Sequence, residues 1–264
     1  MSVPRPNNKR PAWILYLHVV CVYLFLYAPI IVLVLFSFNT DRRNATWQGF
    51  TFNWYYQLFC DENVLRALGN SLKVGLTSTV IATFLGTLAA IGLSKYQFKF
   101  SRLAGSLAYL PLVVPEIVMG ISILTLFLSL GIKLSLMTII LAHIAFCISY
   151  VVVIVRTALA GLDKSLEEAA ADLGANRWET FRYVIFPQIL PGIVSGALLC
   201  FTLSFDDFVI AFFNAGVGSG TLPMAIHSML KFGITPEINA ISTIMLAVNI
   251  IMIIIVKYLN AKDR

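Results

Sequence analysis

From Pro11 to Thr40 the chain carries no Asp, Glu, Lys or Arg, and charge-free stretches of similar length recur from Val74 to Ser94, Leu134 to Val155, Tyr183 to Phe205 and Ile238 to Val256. A sixth stretch, Leu103 to Ile132, is interrupted only by Glu116. A helix rising about 1.5 Å per residue needs about 20 apolar residues to cross a hydrocarbon layer of about 30 Å, so each stretch is long enough to span a bilayer. The sequence therefore predicts an all-α integral membrane protein with six transmembrane helices, near residues 12–38, 68–93, 103–131, 135–160, 187–213 and 238–259. With 59% hydrophobic and 12% charged residues in a chain of 264, nothing is left over for a soluble domain, and we expect one transmembrane domain over 1–264.

The first stretch follows Arg5, Lys9 and Arg10 as a secretory signal would, but it is far longer than a signal core of 7–15 residues and is read as a retained helix. Thirteen of the 19 basic residues fall on the side of the N-terminus, among them Lys95, Lys99, Arg102, Arg156, Arg177 and Arg182. The remainder, including Arg42, Arg43, Arg66 and Lys231, fall on the other side. Positive charge favours the cytoplasmic face, which predicts both termini in the cytoplasm. This flanking pattern accounts for the net charge of +6 without a nucleic-acid partner. Cys21, Cys60, Cys147 and Cys200 lack metal-type spacing and read as filler. His18, His143 and His227 are scattered over different segments, so neither a metal site nor a catalytic constellation is expected.

An outer segment after the first span gathers Trp47, Phe50, Phe52, Trp54, Tyr55 and Tyr56, which suits an aromatic belt at the headgroup level. Small residues in the second span, Gly75, Ser78, Gly86, Ala89 and Ala90 among them, suit close helix packing. Pro111 and Pro115 predict a kink or break in the third. A second outer segment, 214–237, holds an expected amphipathic helix from Met224 to Phe232. On the inner side, 161–182 reads as two helices. Ser165 with Glu168 forms a capping pattern, Gly174 suits a left-handed end, and Asn176 with Glu179 repeats the cap. Leu162, Leu166, Ala169 and Leu173 make one apolar stripe.

Glu168-Ala169-Ala170, Gly174 four residues on, and Val184-Ile185-Phe186-Pro187 resemble the EAA motif of ABC importer permeases. The resemblance implies the six-helix bundle of type I ABC importers, in which 161–182 is a coupling helix loop docked on a separate ATP-binding subunit. Leu166, Ala169, Ala170 and Leu173 would then make the contact, Glu168 orient the helix, Gly174 form the corner and Pro187 close the motif. No G-x-x-x-x-G-K-[ST] loop occurs in the chain, so it is not expected to be an enzyme. ATP and Mg would sit on the partner, and this chain would bind no cofactor.

Acidic residues inside spans are costly and mark functional candidates. Glu116 follows Pro115, either capping a half-helix or facing a substrate path. Asp206 and Asp207 lie in the fifth span, where successive residues point about 100° apart, so they do not both face one narrow path: either one faces the path and the other a neighbouring helix, or the pair lies close to the outer surface. Carboxylates with aromatic neighbours suit a cationic amine. The order of Trp47-Gln-Gly-Phe50, Trp54-Tyr55, Pro115-Glu116-Ile-Val118, Phe201-Thr-Leu-Ser204-Phe-Asp-Asp207 and Pro236-Glu237-Ile-Asn239-Ala240 is similar to the PotC-type permeases of spermidine/putrescine importers. Glu116 stands where that pattern has Asp. The resemblance implies a polyamine path touching Trp54, Glu116, Ser204, Asp206 and Asp207. It also implies a second, PotB-like permease, an external binding protein and a place in a bacterial inner membrane. Import of another small solute stays open as the alternative.

Overall fold

The computed structural model describes residues 12–42, 46–96, 99–231, 233 and 235–262; Arg5, Lys9, Arg10, Arg43, Phe232 and Arg264 lie outside them. Among the described residues five helices are long and apolar enough to cross a membrane, or six if one bent pair counts as a single span. These are α1 (Ala12–Phe36), α3 (Glu62–Lys95), α6 (Leu136–Ala160), the helix ending in α9 (Phe186–Asp206), α12 (Pro236–Lys262), and the bent pair α4 (Ser101–Val113) and α5 (Glu116–Ser129). Shorter helices complete the chain: α2 (Asn53–Cys60), α7 (Lys164–Asp172), α8 (Arg177–Glu179), α10 (Val209–Asn214) and α11 (Leu222–Leu230).

The core is a three-helix seam of α3, α6 and α9 with α6 at its centre. Ile139, Ala142, Cys147, Val151, Val152 and Val155 of α6 are fully buried. In lipid the apolar effect does not drive helices together, so close approach and van der Waals packing must do so. Gly86 of α3 supplies that approach, since a Cβ there would lie 2.8 Å from the Val151 side chain and 3.2 Å from the Ile148 carbonyl. Gly192 of α9 faces Ala158 in the same way, at 2.7 Å. By contrast α1 touches chiefly α12 and exposes nearly all of its surface, Cys21 included. Of the four cysteines only Cys147 and Cys200 are core; Cys60 is exposed as well.

Two expectations need correction, and the expected break in the third stretch is present: it is two helices meeting at 113°, broken at Val114-Pro115, while Pro111 sits inside α4 without breaking it. Val114 is extended because a residue before proline is driven out of the helical region, and Pro115 then starts a new helix. The fifth stretch is not one helix to residue 213: α9 stops at Asp206, Asp207 is extended, and α10 restarts at Val209. On the inner side the helix begins at Arg177, running through a π-helical turn, Thr180–Ile185, into α9. The second inner helix is thus the foot of the span, and only α7 stands apart.

The outer aromatic segment is a folded cap as well as a belt. Trp54 is buried and its Nε1 donates to the Asn39 carbonyl at 2.7 Å, while Tyr55 Oη and Ser37 Oγ are 2.7 Å apart. Trp54 packs with Leu58, Phe201, Phe205, Ala240 and Ile241, so it holds α2 onto α12 and α9. Phe50, Phe52 and Tyr56 remain exposed. The expected amphipathic helix is α11, two residues earlier than read. It is fastened by Ser71 Oγ accepting from the Leu222 N–H at 2.8 Å, and Asn70 Nδ2 donates to the carbonyls of Gly218 and Gly220 just before it.

The seam makes a specific demand on Gly86. Overpacking a well-filled contact costs about 1–3 kcal/mol, so Gly86→Ala is expected to lower the thermal stability of the detergent-purified protein measurably. Gly92→Ala, where an added Cβ meets nothing within 4 Å, serves as the neutral control.

Candidate functional site

Two places carry chemistry: the break between α9 and α10, and the inner loop at α7. At the break, the N–H groups of Ile210 and Ala211 lose their helical partners although both residues are fully buried in the fold. The Asp207 carboxylate fills the gap, accepting the N–H of Ala211 at 2.8 Å and of Ile210 at 3.3 Å. Its side chain thus caps α10 from the residue before Phe208, the N-cap position itself. Its Oδ2 also lies 3.3 Å from His143 Nε2, out of line for a hydrogen bond. His143 Nδ1 is 2.7 Å from Ser204 Oγ, and Ser204 Oγ is 2.9 Å from Ser78 Oγ, which donates to the Val74 carbonyl at 2.6 Å. This buried chain crosses α10, α6, α9 and α3. It resembles a Ser-His-Asp array in composition only, because Ser204 shares its hydroxyl with Ser78 and all four side chains are sealed from solvent.

Asp206 and Asp207 therefore divide as alternation predicts: Asp207 is inward and structural, and Asp206 is exposed. Asp206 lines a cavity of about 520 Å³ with Ile30 and Leu33 of α1, Phe208, Pro223, Ile226, His227 and Leu230 of α11, and Ser242, Met245, Leu246 and Asn249 of α12. Phe208 and His227 stack there with ring centroids 4.4 Å apart. The wall holds one carboxylate and no Lys or Arg, and Asn249 Oδ1 accepts no hydrogen bond among the described residues. Glu116 sits at the first position of α5, exposed, within electrostatic reach of Asp207 and of Tyr150 on α6. It makes no cap to its own helix.

Of the expected path residues, Asp206 is exposed on the cavity and Glu116 is exposed within electrostatic reach of Asp207, while Asp207 and Ser204 share the buried polar chain and Trp54 is buried elsewhere. Trp54 is held in the outer core, and Ser204 in the polar chain. Sequence reading missed His143 as Asp207's partner. The available signal was a lone imidazole in an otherwise uncharged span, which a buried polar group must justify with a partner.

At the inner loop, α7 begins at Lys164 and its cap is Asp163, whose carboxylate accepts the Ser165 N–H at 2.9 Å. That bond holds the Asp163 carboxyl below its ordinary range. Ser165 is inside the helix, so the expected Ser165/Glu168 box is replaced by a cap two residues earlier; the carboxylate of Asp163 reaches the free N–H groups first. Glu168 caps nothing, and it is Glu167 that ties α7 to the foot of α3, with Lys95 Nζ at 3.1 Å. The end of α7 is as expected: Gly174 has φ +85°, Ala175 N–H donates to the Ala170 carbonyl at 3.0 Å and Gly174 N–H to Ala171 at 2.9 Å. Asn176 and Glu179 make a reciprocal cap in full. Ala170, expected outward, is buried against the chain's own fold, whereas Leu166 is 42% and Leu173 89% exposed. Ala169 and Glu168 are exposed too, and Pro187 is exposed at the start of α9.

Residues 82–263 match the family of binding-protein-dependent transport system inner membrane components. The chain is 40% identical over 243 residues to the spermidine/putrescine transport system permease protein PotC of Haemophilus influenzae, covering 92% of this chain and 95% of that one. It is 40% identical over 247 residues to the putrescine transport system permease protein PotI of Escherichia coli, covering 91% and 88%. Among solved structures it superposes on a bacterial ABC transporter involved in alginate import with a TM-score of 0.71 at 16% identity, covering 95% and 94% of the two chains. It superposes on the MetNI methionine ABC transporter with a TM-score of 0.61 at 18% identity, covering 80% and 98%. These likenesses show the fold of ABC importer permeases. With a family match over most of its length and such identity through nine-tenths of it, the chain belongs to the binding-protein-dependent transport system inner membrane component family.

Proposed function

We propose that this chain is a permease subunit of an ATP-driven polyamine importer in a bacterial inner membrane, with both termini cytoplasmic. The observation that carries the reading is the 40% identity to spermidine/putrescine and putrescine permeases over more than nine-tenths of the chain. The cavity beside Asp206 supports it chemically. A carboxylate, a stacked Phe208/His227 pair and an acceptor without a donor in Asn249 suit the ammonium groups of a polyamine, and no basic side chain opposes them. Glu116 is proposed as a second acidic contact on the path.

The drive comes from a partner. An ATP-binding subunit, carrying ATP and Mg, is proposed to grip α7 through Leu166, Ala169 and Leu173, whose exposure leaves an apolar stripe for it. Movement of α7 reaches the bundle by two stiff links, the Glu167–Lys95 pair to α3 and the π-turn continuous with α9. A second, PotB-like permease completes the path, and an external binding protein docks on the exposed aromatics of the outer cap. Basic residues concentrated on the side of α7 support its cytoplasmic placement.

In proteoliposomes holding the assembled importer, Asp206→Asn is expected to cut spermidine uptake about tenfold, the scale of one lost charge-assisted hydrogen bond, with assembly intact. Unchanged uptake would remove Asp206 from the path. Asp207→Ala should act differently, lowering the yield of folded protein, since the cap alone is worth about 0.5–2 kcal/mol.

Gly174→Asp forces an L side chain into a left-handed turn at a cost of about 1–2 kcal/mol and is expected, like Glu168→Lys, to uncouple ATP hydrolysis from uptake without loss of membrane insertion. Normal coupling ratios in both variants would refute the role of α7.

The Asp163 cap has a defined pH dependence. Its carboxyl is held low in the folded loop, so its contribution is complete above the ordinary carboxylate pKa and fades as pH falls through the depressed value. Amide-exchange protection of α7 should therefore decline in acid, and Asp163→Asn should abolish that decline.

A further inference from the structure

Where α4 begins, beside the inner ends of α3 and α6, lies a second cavity of about 500 Å³ that the transport reading leaves unused. It is lined by Leu93 of α3, Ser101, Arg102, Gly105, Ser106 and Tyr109 of α4, and Arg156 of α6. The Arg156 guanidinium lies 5.8 Å from the centre of the Tyr109 ring, and neither Arg102 nor Arg156 has an acidic partner among the described residues. Of the nearby acids, Glu167 is paired with Lys95, and Glu168 lines an adjoining cavity with Arg156 but makes no ion pair with it. Gly105 forms the floor: a Cβ there would meet only Arg156 Nη1, at 3.8 Å, so the absence of a side chain keeps the guanidinium accessible. Among the described residues no side chain caps the first turn of α4, whose N–H groups favour an anion.

We propose that this cavity binds the phosphate headgroup of an anionic phospholipid of the inner leaflet. Two unopposed guanidiniums, two serine hydroxyls and a helix N-terminus match a phosphodiester in charge and hydrogen-bonding capacity. The acyl chains have a track beside it. Leu103, Leu107 and Leu110 recur at helical spacing on the neighbouring face of α4 and are 57%, 55% and 53% exposed. The leaflet rests on the proposed cytoplasmic placement of α7, but the headgroup chemistry does not. A bound lipid here would fasten the loosely packed α4, which touches mainly α6, to the foot of the seam.

The test uses the assembled transporter extracted from membranes of mixed phosphatidylethanolamine and phosphatidylglycerol, with retained lipid identified by native mass spectrometry. Wild type should retain phosphatidylglycerol selectively. Arg156→Gln should reduce that retention about fivefold and Arg102→Gln with Arg156→Gln about thirtyfold, from the usual pull of each basic residue on an anionic surface. Gly105→Leu, which fills the cavity and keeps both charges, should also lose the lipid, while Lys257→Gln should not. Retention unchanged in the double variant and in Gly105→Leu would overturn the proposal. So would displacement of the lipid by millimolar inorganic phosphate, which marks a free-anion site, or a partner carboxylate cross-linked to Arg156. Spermidine uptake measured alongside reports on the transport reading separately, since lipid retention does not require it.

Discussion

A buried backbone N–H must find a partner within the protein, and at the α9–α10 break those of Ile210 and Ala211 are met by one carboxylate, Asp207. The same carboxylate faces His143, and through Ser204 and Ser78 the contact extends into α6, α9 and α3. One charged side chain thus ends a span, starts the next short helix and locks that corner to the three-helix seam. Because the corner is fixed, Asp206 next to it is turned out into the cavity with the Phe208/His227 stack. The division of labour between two adjacent aspartates follows from the backbone stopping at Asp206.

The inner end follows the same economy. Asp163 and Gly174 bound the nine-residue α7, and Leu166 within it and Leu173 at its end remain exposed. The helix is joined to α3 by an ion pair and to α9 by a π-turn, a form of helix often found where a span must bear a functional strain. In the proposed coupling, a push on α7 would reach α3 and α9, and the close contacts at Gly86 and Gly192 would pass it to α6.

The long apolar runs made the spans legible, since span length is set by bilayer thickness and little else competes with it. Pro115 marked the break, and Gly174 with Asn176/Glu179 marked the loop geometry, because these residues act through their own backbone neighbours. What stayed hidden depended on contacts distant in sequence. The helix end at Asp206 has no local breaker; it is stabilised by His143, 64 positions away from Asp207, and by the packing of α10 on α5. Trp54 looked like a belt or path residue because exposure cannot be read from residue type, and its burial is set by Asn39 and the α12 side chains. Ala170 and Leu173 were both expected at the contact, yet Ala170 is buried within α7 while Leu173, at the residue that ends the helix, is exposed.

The central claim, that α7 is gripped by an ATP-hydrolysing subunit and moves the bundle, is tested most directly by a single cysteine at Leu173 in an otherwise cysteine-free permease, assembled with its ATP-binding subunit and assayed for transport. The account predicts that a short bifunctional reagent links this cysteine to that subunit, that the link forms at different rates with and without ATP, and that once formed it stops uptake. A cysteine at this position that stays freely labelled in an actively transporting complex would contradict it.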